Sequence, residues 1–216
     1  MSLNELLIQG ACELGVDLKD EQVELFMKYL DNLKKWNKNI NLTAIKDDEG
    51  VIINHFLDSI SASSYIEDSK SLLDIGTGAG FPGLVLKIIH PTINATLLDS
   101  ANKKVSFLND TIRKLGLEDV RAMWGRAEDP DNDILRGDFD YVITRAVGSV
   151  LDTLALSSAY VSKNGVIILM RGKRGPYEWS SESDEIKDKF NLMELKEFNL
   201  PGTDIERILI ILSPKE

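Results

Sequence analysis

The chain has 216 residues, 43% of them hydrophobic, enough for a sizeable core and with no compositional sign of disorder. A single cysteine, Cys12, excludes a disulfide within the chain; no apolar run reaches the roughly 18 to 20 residues of a bilayer span, and the N-terminus lacks the basic start of a secretion signal, so a soluble cytoplasmic protein is expected. The formal net charge of −10 argues against a broad nucleic-acid footprint, although screening over about 8 to 10 Å leaves a local basic face free to act.

In chain order, residues 2 to about 38 predict two amphipathic helices. Leu3, Leu6, Leu7 and Leu14 mark the first, which Gly15 interrupts. Asp20 is placed to cap the second, whose stripe is Val23, Phe26, Met27, Leu30, Leu33 and Trp36. Such a stripe predicts packing against the rest of the domain. The following stretch, Trp36-Asn37-Lys38-Asn39-Ile40-Asn41-Leu42-Thr43-Ala44-Ile45, is irregular and rich in side-chain hydrogen-bonding groups. A third helix is expected from Asp48 to about Ser63, with His55 and Asp58 three residues apart on one face.

From Lys70 onward, strand and helix patterns alternate, which predicts a largely parallel sheet with helices on both faces. Residues 1–69 are therefore read as a helical extension and 70–216 as an α/β core, together one domain. The stretch from Ser71 to Gly83 begins as an apolar strand, ends in the glycine-rich turn Gly76-Thr77-Gly78-Ala79-Gly80-Phe81-Pro82-Gly83, and is followed by a helical pattern. The second strand ends at Asp99, about 20 residues past the turn, where an acid can hold a ribose by its hydroxyls. The next helix stops at Gly116. Strands follow at Val120–Trp124 and Phe139–Thr144, then a helix from Leu151 to about Val161 and a strand at Val166–Met170. A basic loop, Arg171-Gly172-Lys173-Arg174-Gly175-Pro176-Tyr177, precedes an acidic short helix within Glu182 to Asp188. A hairpin of Leu192–Phe198 and Arg207–Leu212, with Pro201-Gly202 between, closes the chain.

In open α/β sheets, ligands bind outside the carboxyl ends of the strands. Asp74 to Gly80, Asp99, Ala127-Glu128 and Arg145 should therefore converge on one crevice. The glycine spacing is not the dinucleotide fingerprint, because Phe81 stands where the third glycine belongs. The pattern present is D-x-G-x-G, with Asp74, Gly76, Gly78 and Gly80. It resembles the first motif of class I methyltransferases that use S-adenosyl-L-methionine (AdoMet), a Rossmann-like fold with a mostly parallel seven-stranded sheet.

Several further segments extend the resemblance over nearly the whole chain. They are Trp36-Asn37 with Asn41-Leu42-Thr43-Ala44-Ile45, His55-Phe56-Leu57-Asp58-Ser59, the turn with its Pro82-Gly83 extension, Leu97-Leu98-Asp99-Ser100, Lys103-Lys104, Arg126-Ala127-Glu128 and Thr144-Arg145-Ala146. Together they resemble the bacterial small-subunit ribosomal RNA methyltransferase G family, also called glucose-inhibited division protein B. The resemblance implies a methyltransferase acting on guanine N7 of 16S rRNA in the small (30S) ribosomal subunit, with AdoMet as cofactor. It implies that Gly76, Phe81, Ala127 and Glu128 contact AdoMet, that Asp99 holds its ribose, and that Arg145 lies between cofactor and substrate. His55 and Asp58 match a family signature and join the RNA candidates. After the fifth strand the family commonly has Lys-Gly, whereas this chain has Arg171-Gly172, which keeps the charge but changes its shape.

The chemistry is consistent with the residues. Guanine N7 carries an in-plane lone pair and no proton, so no general base is required and orientation does most of the catalysis. Amino-group methyltransferases often carry Asn/Asp-Pro-Pro-aromatic after strand four, where this chain has Thr144-Arg145-Ala146-Val147. Methylation at a pyrimidine carbon needs a cysteine nucleophile, and Cys12 is far from the crevice in sequence. His55 and His90 are isolated, and no Cys/His cluster suggests a metal. For RNA the basic candidates are Lys103, Lys104, Arg126, Arg145, Arg171 and Lys173, and Tyr177 and Trp179 are placed either to stack on bases or to anchor the loop. Two other functions stay open: a methyltransferase of small molecules, and an AdoMet-binding module without turnover. The asparagine-rich segment and the His55/Asp58 helix favour the RNA enzyme, expected as a monomer.

Overall fold

The computed structural model describes residues 1–129, 137–181 and 184–215. Helix α1 (Leu3–Glu13) begins with a reciprocal cap, in which the Glu5 amide donates to Ser2 Oγ and the Ser2 amide to the Glu5 carboxylate. Helix α2 (Asp20–Asn37) starts one residue earlier than a cap at Asp20 would allow. Lys19 takes the cap position, and its amide donates to the Gln22 side chain. The Gln22 amide group then donates to the carbonyls of Ile88 and Ile89, so it also satisfies the end of a core helix.

Asn37 organises the asparagine-rich segment. Its side-chain oxygen accepts from the amides of Leu42 and Thr43, and its Nδ2 donates to the Thr43 carbonyl. The third helix is interrupted in kind: α3 (Asp48–Val51) widens into a π-helical stretch (Ile52–Leu57) and ends as α4 (Asp58–Ile60). Single π turns are frequent at functional sites. This one carries Asn54 and His55.

Seven strands follow: β1 (Ser71–Ile75), β2 (Asn94–Asp99), β3 (Val120–Trp124), β4 (Phe139–Arg145), β5 (Val161–Gly172), β6 (Phe190–Asn199) and β7 (Glu206–Pro214). They form one sheet in the order β3-β2-β1-β4-β5-β7-β6. The first five pair in parallel, while β7 runs antiparallel to both neighbours. Helices α5 (Gly83–Ile89), α6 (Asn102–Leu115) and α7 (Val150–Ser158) make the crossovers; α8 (Gly175–Ser180) and α9 (Asp184–Lys187) lie between β5 and β6. The α9 helix occupies the predicted acidic run, of which Glu182 lies outside the described residues.

On one face of the sheet, Phe26 and Tyr29 of α2, Phe56, Phe81, Leu84 of α5 and Phe107 of α6 share a single core, so the N-terminal helices bury their stripe against the sheet layer as their spacing predicted. The other face packs Leu73, Val142, Leu154, Tyr160, Leu169, Trp179 and Ile210. The β1–α5 turn fits only without side chains at particular places. A Cβ on Gly83 would collide with Leu97 and lie 2.8 Å from Asp74 Oδ2. Gly83→Ala is expected to destabilise the fold by about 2 to 3 kcal/mol, typical of overpacking at a rigid site, and to lower Tm by roughly 5 to 10 °C. A thermal melt checks this, and an unchanged Tm would mean that the turn yields.

Candidate active site

The site is built on the β1–α5 turn. Asp74, at zero exposure, lies under it: its Oδ2 accepts from Thr77 Oγ1 (2.6 Å) and the Gly83 amide (2.8 Å), and its Oδ1 is buried without a partner among the described residues. Tyr29, from α2, donates its hydroxyl to the Ala79 carbonyl and so ties the N-terminal helices to the same turn. Gly80 has φ +93°, and a side chain there would come within 2.5 Å of the Tyr29 hydroxyl. Asp99, closing β2, reaches across: its Oδ2 accepts from the Gly78 amide (2.8 Å) and from Lys104 Nζ (3.4 Å), and its Oδ1 from the Ala101 amide (2.8 Å).

Two clefts open on either side of Gly76. The smaller, about 160 Å³, is lined by Gly76, Asp99, Arg126, Ala127, Glu128 and Val147. The larger, about 460 Å³, runs past Gly78 and Phe81 to Arg145, Arg171, Glu178 and Arg207, with Thr43, Asn54, His55 and Asp58 along its N-terminal wall. The crevice predicted at the strand ends is thus divided by the glycine turn.

Arg145 is the hub of the larger cleft. Its Nη1 donates to the Asn54 carbonyl (2.9 Å) and to Asp58 Oδ2 (3.0 Å), and its Nη2 to His55 Nδ1 (3.1 Å). The π turn makes this possible by turning the Asn54 carbonyl outward beside the two side chains. His55 Nδ1 also lies 3.0 Å from the Asn54 carbonyl, and Nε2 lies 2.7 Å from Thr43 Oγ1, so both ring nitrogens have polar partners. The His55 ring stacks on Phe81 with centroids 4.6 Å apart, and the Arg145 guanidinium lies 5.3 Å from the centre of the Phe81 ring. Asp58 Oδ1 accepts from Arg207 Nε (3.1 Å), so one buried carboxylate joins two arginines.

Burial, then the charge of Arg145, pulls His55 down to about 4, and it stays neutral across the neutral range. Burial acts on Asp74 the other way. Although Thr77 and Gly83 donate to it, it rises to about 6. A carboxylate raised above its unfolded value of about 3.9 stabilises most below that value, and the contribution disappears as pH rises through 6. Asp74→Asn, which keeps an acceptor for the turn, should therefore gain on the parent as pH rises from 4 to 7, by up to about 3 kcal/mol. Thermal melts of the pair at pH 5 and 8 check this; a constant difference in Tm would contradict it.

The predicted residues do not all face the clefts. Asp74 lines neither and acts from beneath the turn. Ala127 offers backbone only, its carbonyl accepting from the Tyr160 hydroxyl, while Glu128 is exposed at the rim of the smaller cleft. Lys104 is paired with Asp99, and Lys103 is exposed beside it. Lys173 is an exposed partner of Glu206.

Arg171, expected in a basic loop after the fifth strand, lies in the strand itself and lines the larger cleft. Strand β5 runs on to Gly172, which draws Arg171 into the protein at 9% exposure. Its Nη1 donates to the Gly148 carbonyl and its Nη2 to Ser149 O and Thr153 Oγ1, bracing the loop after β4 and leaving only Nε without a partner. Burial lowers its pKa, and Glu178 opposes that shift. Trp179 is buried and anchors α8, whereas Tyr177 is exposed.

Tyr29, Asn54, Glu178 and Arg207 were not singled out from sequence. A signal existed for Arg207: a last strand antiparallel to the others enters the sheet at the ligand-binding end, so its first residues are placed at the site.

The strand order, the D-x-G-x-G turn after β1 and the acid closing β2 define a class I AdoMet-dependent methyltransferase. Solved structures share the fold. A SAM dependent methyltransferase from Aquifex aeolicus superposes with a TM-score of 0.60 at 14% identity, covering 80% of this chain and 96% of that one. A precorrin-6y C5,15-methyltransferase from Geobacter metallireducens gives 0.55 at 18%, covering 70% and 84%.

In sequence, the chain is 40% identical over 222 residues to a ribosomal RNA small subunit methyltransferase G of Acetivibrio thermocellus, covering 98% of this chain and 88% of the relative. It is 42% identical over 220 residues to one of Lachnoclostridium phytofermentans, covering 97% and 88%. The family model GidB, rRNA small subunit methyltransferase G, matches residues 22–205, and the chain belongs to that family. AdoMet fits the residues present: the glycines leave the turn open to close approach, Asp99 stands at the end of β2, and the two clefts lie on either side.

Proposed function

We propose that this chain transfers a methyl group from AdoMet to N7 of a guanine in the 16S rRNA of the small ribosomal subunit, acting as a monomeric cytoplasmic enzyme. The observation that carries the reading is that the histidine and the aspartate beside the glycine turn are both fully committed. His55 has one ring nitrogen on Arg145 and the other on Thr43, and Asp58 is shared between Arg145 and Arg207. Neither is left to take a proton. Guanine N7 asks for no proton acceptor, because its lone pair forms the new N–C bond while the C–S bond electrons return to sulfur, giving a neutral thioether and a cationic base. AdoMet when bound supplies the activated methyl group.

The chain's own contribution is orientation. Asp99 and the glycine turn would hold the cofactor from one side of Gly76. The Arg145 network would fix the wall of the other cleft, where a base can approach in line. Three arginines against two carboxylates also give this cleft a positive balance in an acidic protein. That is the local basic face that RNA phosphates require. Residues 1–69 supply Thr43, Asn54, His55 and Asp58 to that wall, so extension and core act as one unit.

The test is transfer of labelled methyl from AdoMet to small subunits isolated from cells lacking the enzyme, followed by mapping of the modified base. Label on N7 of one guanine is expected. Label on an exocyclic amine or a base carbon, or in a metabolite pool with none in 16S rRNA, would overturn the reading.

A further inference from the structure

Two residues that line the larger cleft each carry a buried polar atom without a hydrogen-bond partner: Glu178 Oε2, an acceptor, and Arg171 Nε, a donor. Buried polar groups are almost always satisfied, and an exception calls for a ligand or a water that completes it. Here both exceptions belong to residues that line the same cleft. Glu178 makes no ion pair within 4 Å among the described residues. The helix that carries it is fixed on both sides, since Trp179 is buried in the core beneath the sheet and Gly175 packs against Arg171 and Ile208. The carboxylate can turn about its last bond to present either oxygen, at little cost.

We infer that Glu178 is the specificity-determining residue for the target base, its carboxylate accepting from N1–H and the 2-amino group of guanine, with Arg171 Nε–H donating to O6. The inference rests on the guanine-N7 reading above. One donor followed by one strong acceptor matches the O6, N1–H, N2–H₂ edge of guanine. It mismatches adenine, which offers a donor at position 6 and an acceptor at N1. That edge lies opposite N7, so holding it leaves N7 free for the incoming methyl. Methylation makes the ring cationic and its N1–H more acidic, so the bond to a carboxylate strengthens as the transition state forms. An interaction of that kind raises the rate as well as the affinity.

The experiment compares small subunits reconstituted with 16S rRNA carrying guanosine or inosine at the mapped position. Inosine keeps N7, O6 and N1–H and lacks only the 2-amino group. The parent enzyme is expected to prefer guanosine by about tenfold in kcat/KM, the effect of one hydrogen bond to a charged acceptor. In Glu178→Gln the preference should fall to within about twofold, while AdoMet affinity measured by calorimetry stays within twofold of the parent.

Equal rates on guanosine and inosine with the parent enzyme would overturn the inference without any variant. So would an unchanged guanosine preference in Glu178→Gln. Methyl found on N1 or N2 would make Glu178 a base instead of a reader. Absence of transfer to either substrate by the parent would instead remove the guanine-N7 reading, and this inference with it.

Discussion

Replacing Arg145 with alanine is expected to lower kcat/KM for methyl transfer to small subunits by about three orders of magnitude, with Tm reduced by only a few degrees. The guanidinium closes three hydrogen bonds at once, to the Asn54 carbonyl, Asp58 and His55, and lies 5.3 Å from the Phe81 ring centre. Its loss frees His55 and one side of Asp58, so the wall facing the glycine turn loses its fixed shape. Misplacement by about 1 Å is enough to cost about a hundredfold, and removal of a positioned donor costs about a hundred- to a thousandfold; the two effects overlap at about three orders of magnitude. Stability suffers less because Arg207 still neutralises Asp58. A buried carboxylate left with no partner would cost far more. Arg145→Lys should recover little, since one ammonium on a flexible stem cannot reproduce a planar fork with three fixed partners. Labelled-methyl transfer and a thermal melt on the same preparations give both readings; activity of the alanine variant within threefold of the parent would show that the hub is structural only.

How far such a hub can be read from sequence depends on what kind of signal its members leave. Strands β2 to β4 are bounded by Gly, Asp or polar residues and were placed within about a residue, because local period and turn chemistry determine them. The start of β5 was not. Ser162-Lys163-Asn164-Gly165 reads as a loop, and the pairing indeed jumps from Phe139 with Val161 to Tyr141 with Val166. The strand nevertheless begins at Val161, because its partner β4 supplies the ladder on that side. His55 and Asp58 were visible as a pair on one helical face, and Arg145 as a residue at a strand end. Their meeting is a property of the tertiary fold, and the π turn that presents the Asn54 carbonyl has no pattern of its own. Arg171 shows the opposite case. Its basic neighbours suggested a surface loop, but the strand extends far enough to bury it, and only the registry of β5 with β7 reveals that.

Asp99→Ala is expected to weaken AdoMet about a hundredfold, equivalent to about 2.7 kcal/mol. Two effects are superposed. On the proposed reading the carboxylate, 5% exposed, would accept from the ribose, and a bond to a charged acceptor is worth about 1.5 to 3 kcal/mol. It also accepts from the Gly78 and Ala101 amides, so its removal loosens the turn before any ligand arrives. Calorimetry with two ligands separates these from a third possibility, attraction for the sulfonium. S-adenosylhomocysteine has the same ribose and turn contacts but no positive sulfur. Equal losses for both ligands place Asp99 on the ribose and the turn; a loss confined to AdoMet would assign it to the charge. Lys104 offers the remaining control. It lies 3.4 Å from Asp99 Oδ2 and is a third exposed, so Lys104→Ala removes a weakly held partner and should change affinity less than threefold. If it matched the effect of Asp99→Ala, the ion pair and not the ribose would be what the acid at the end of β2 provides.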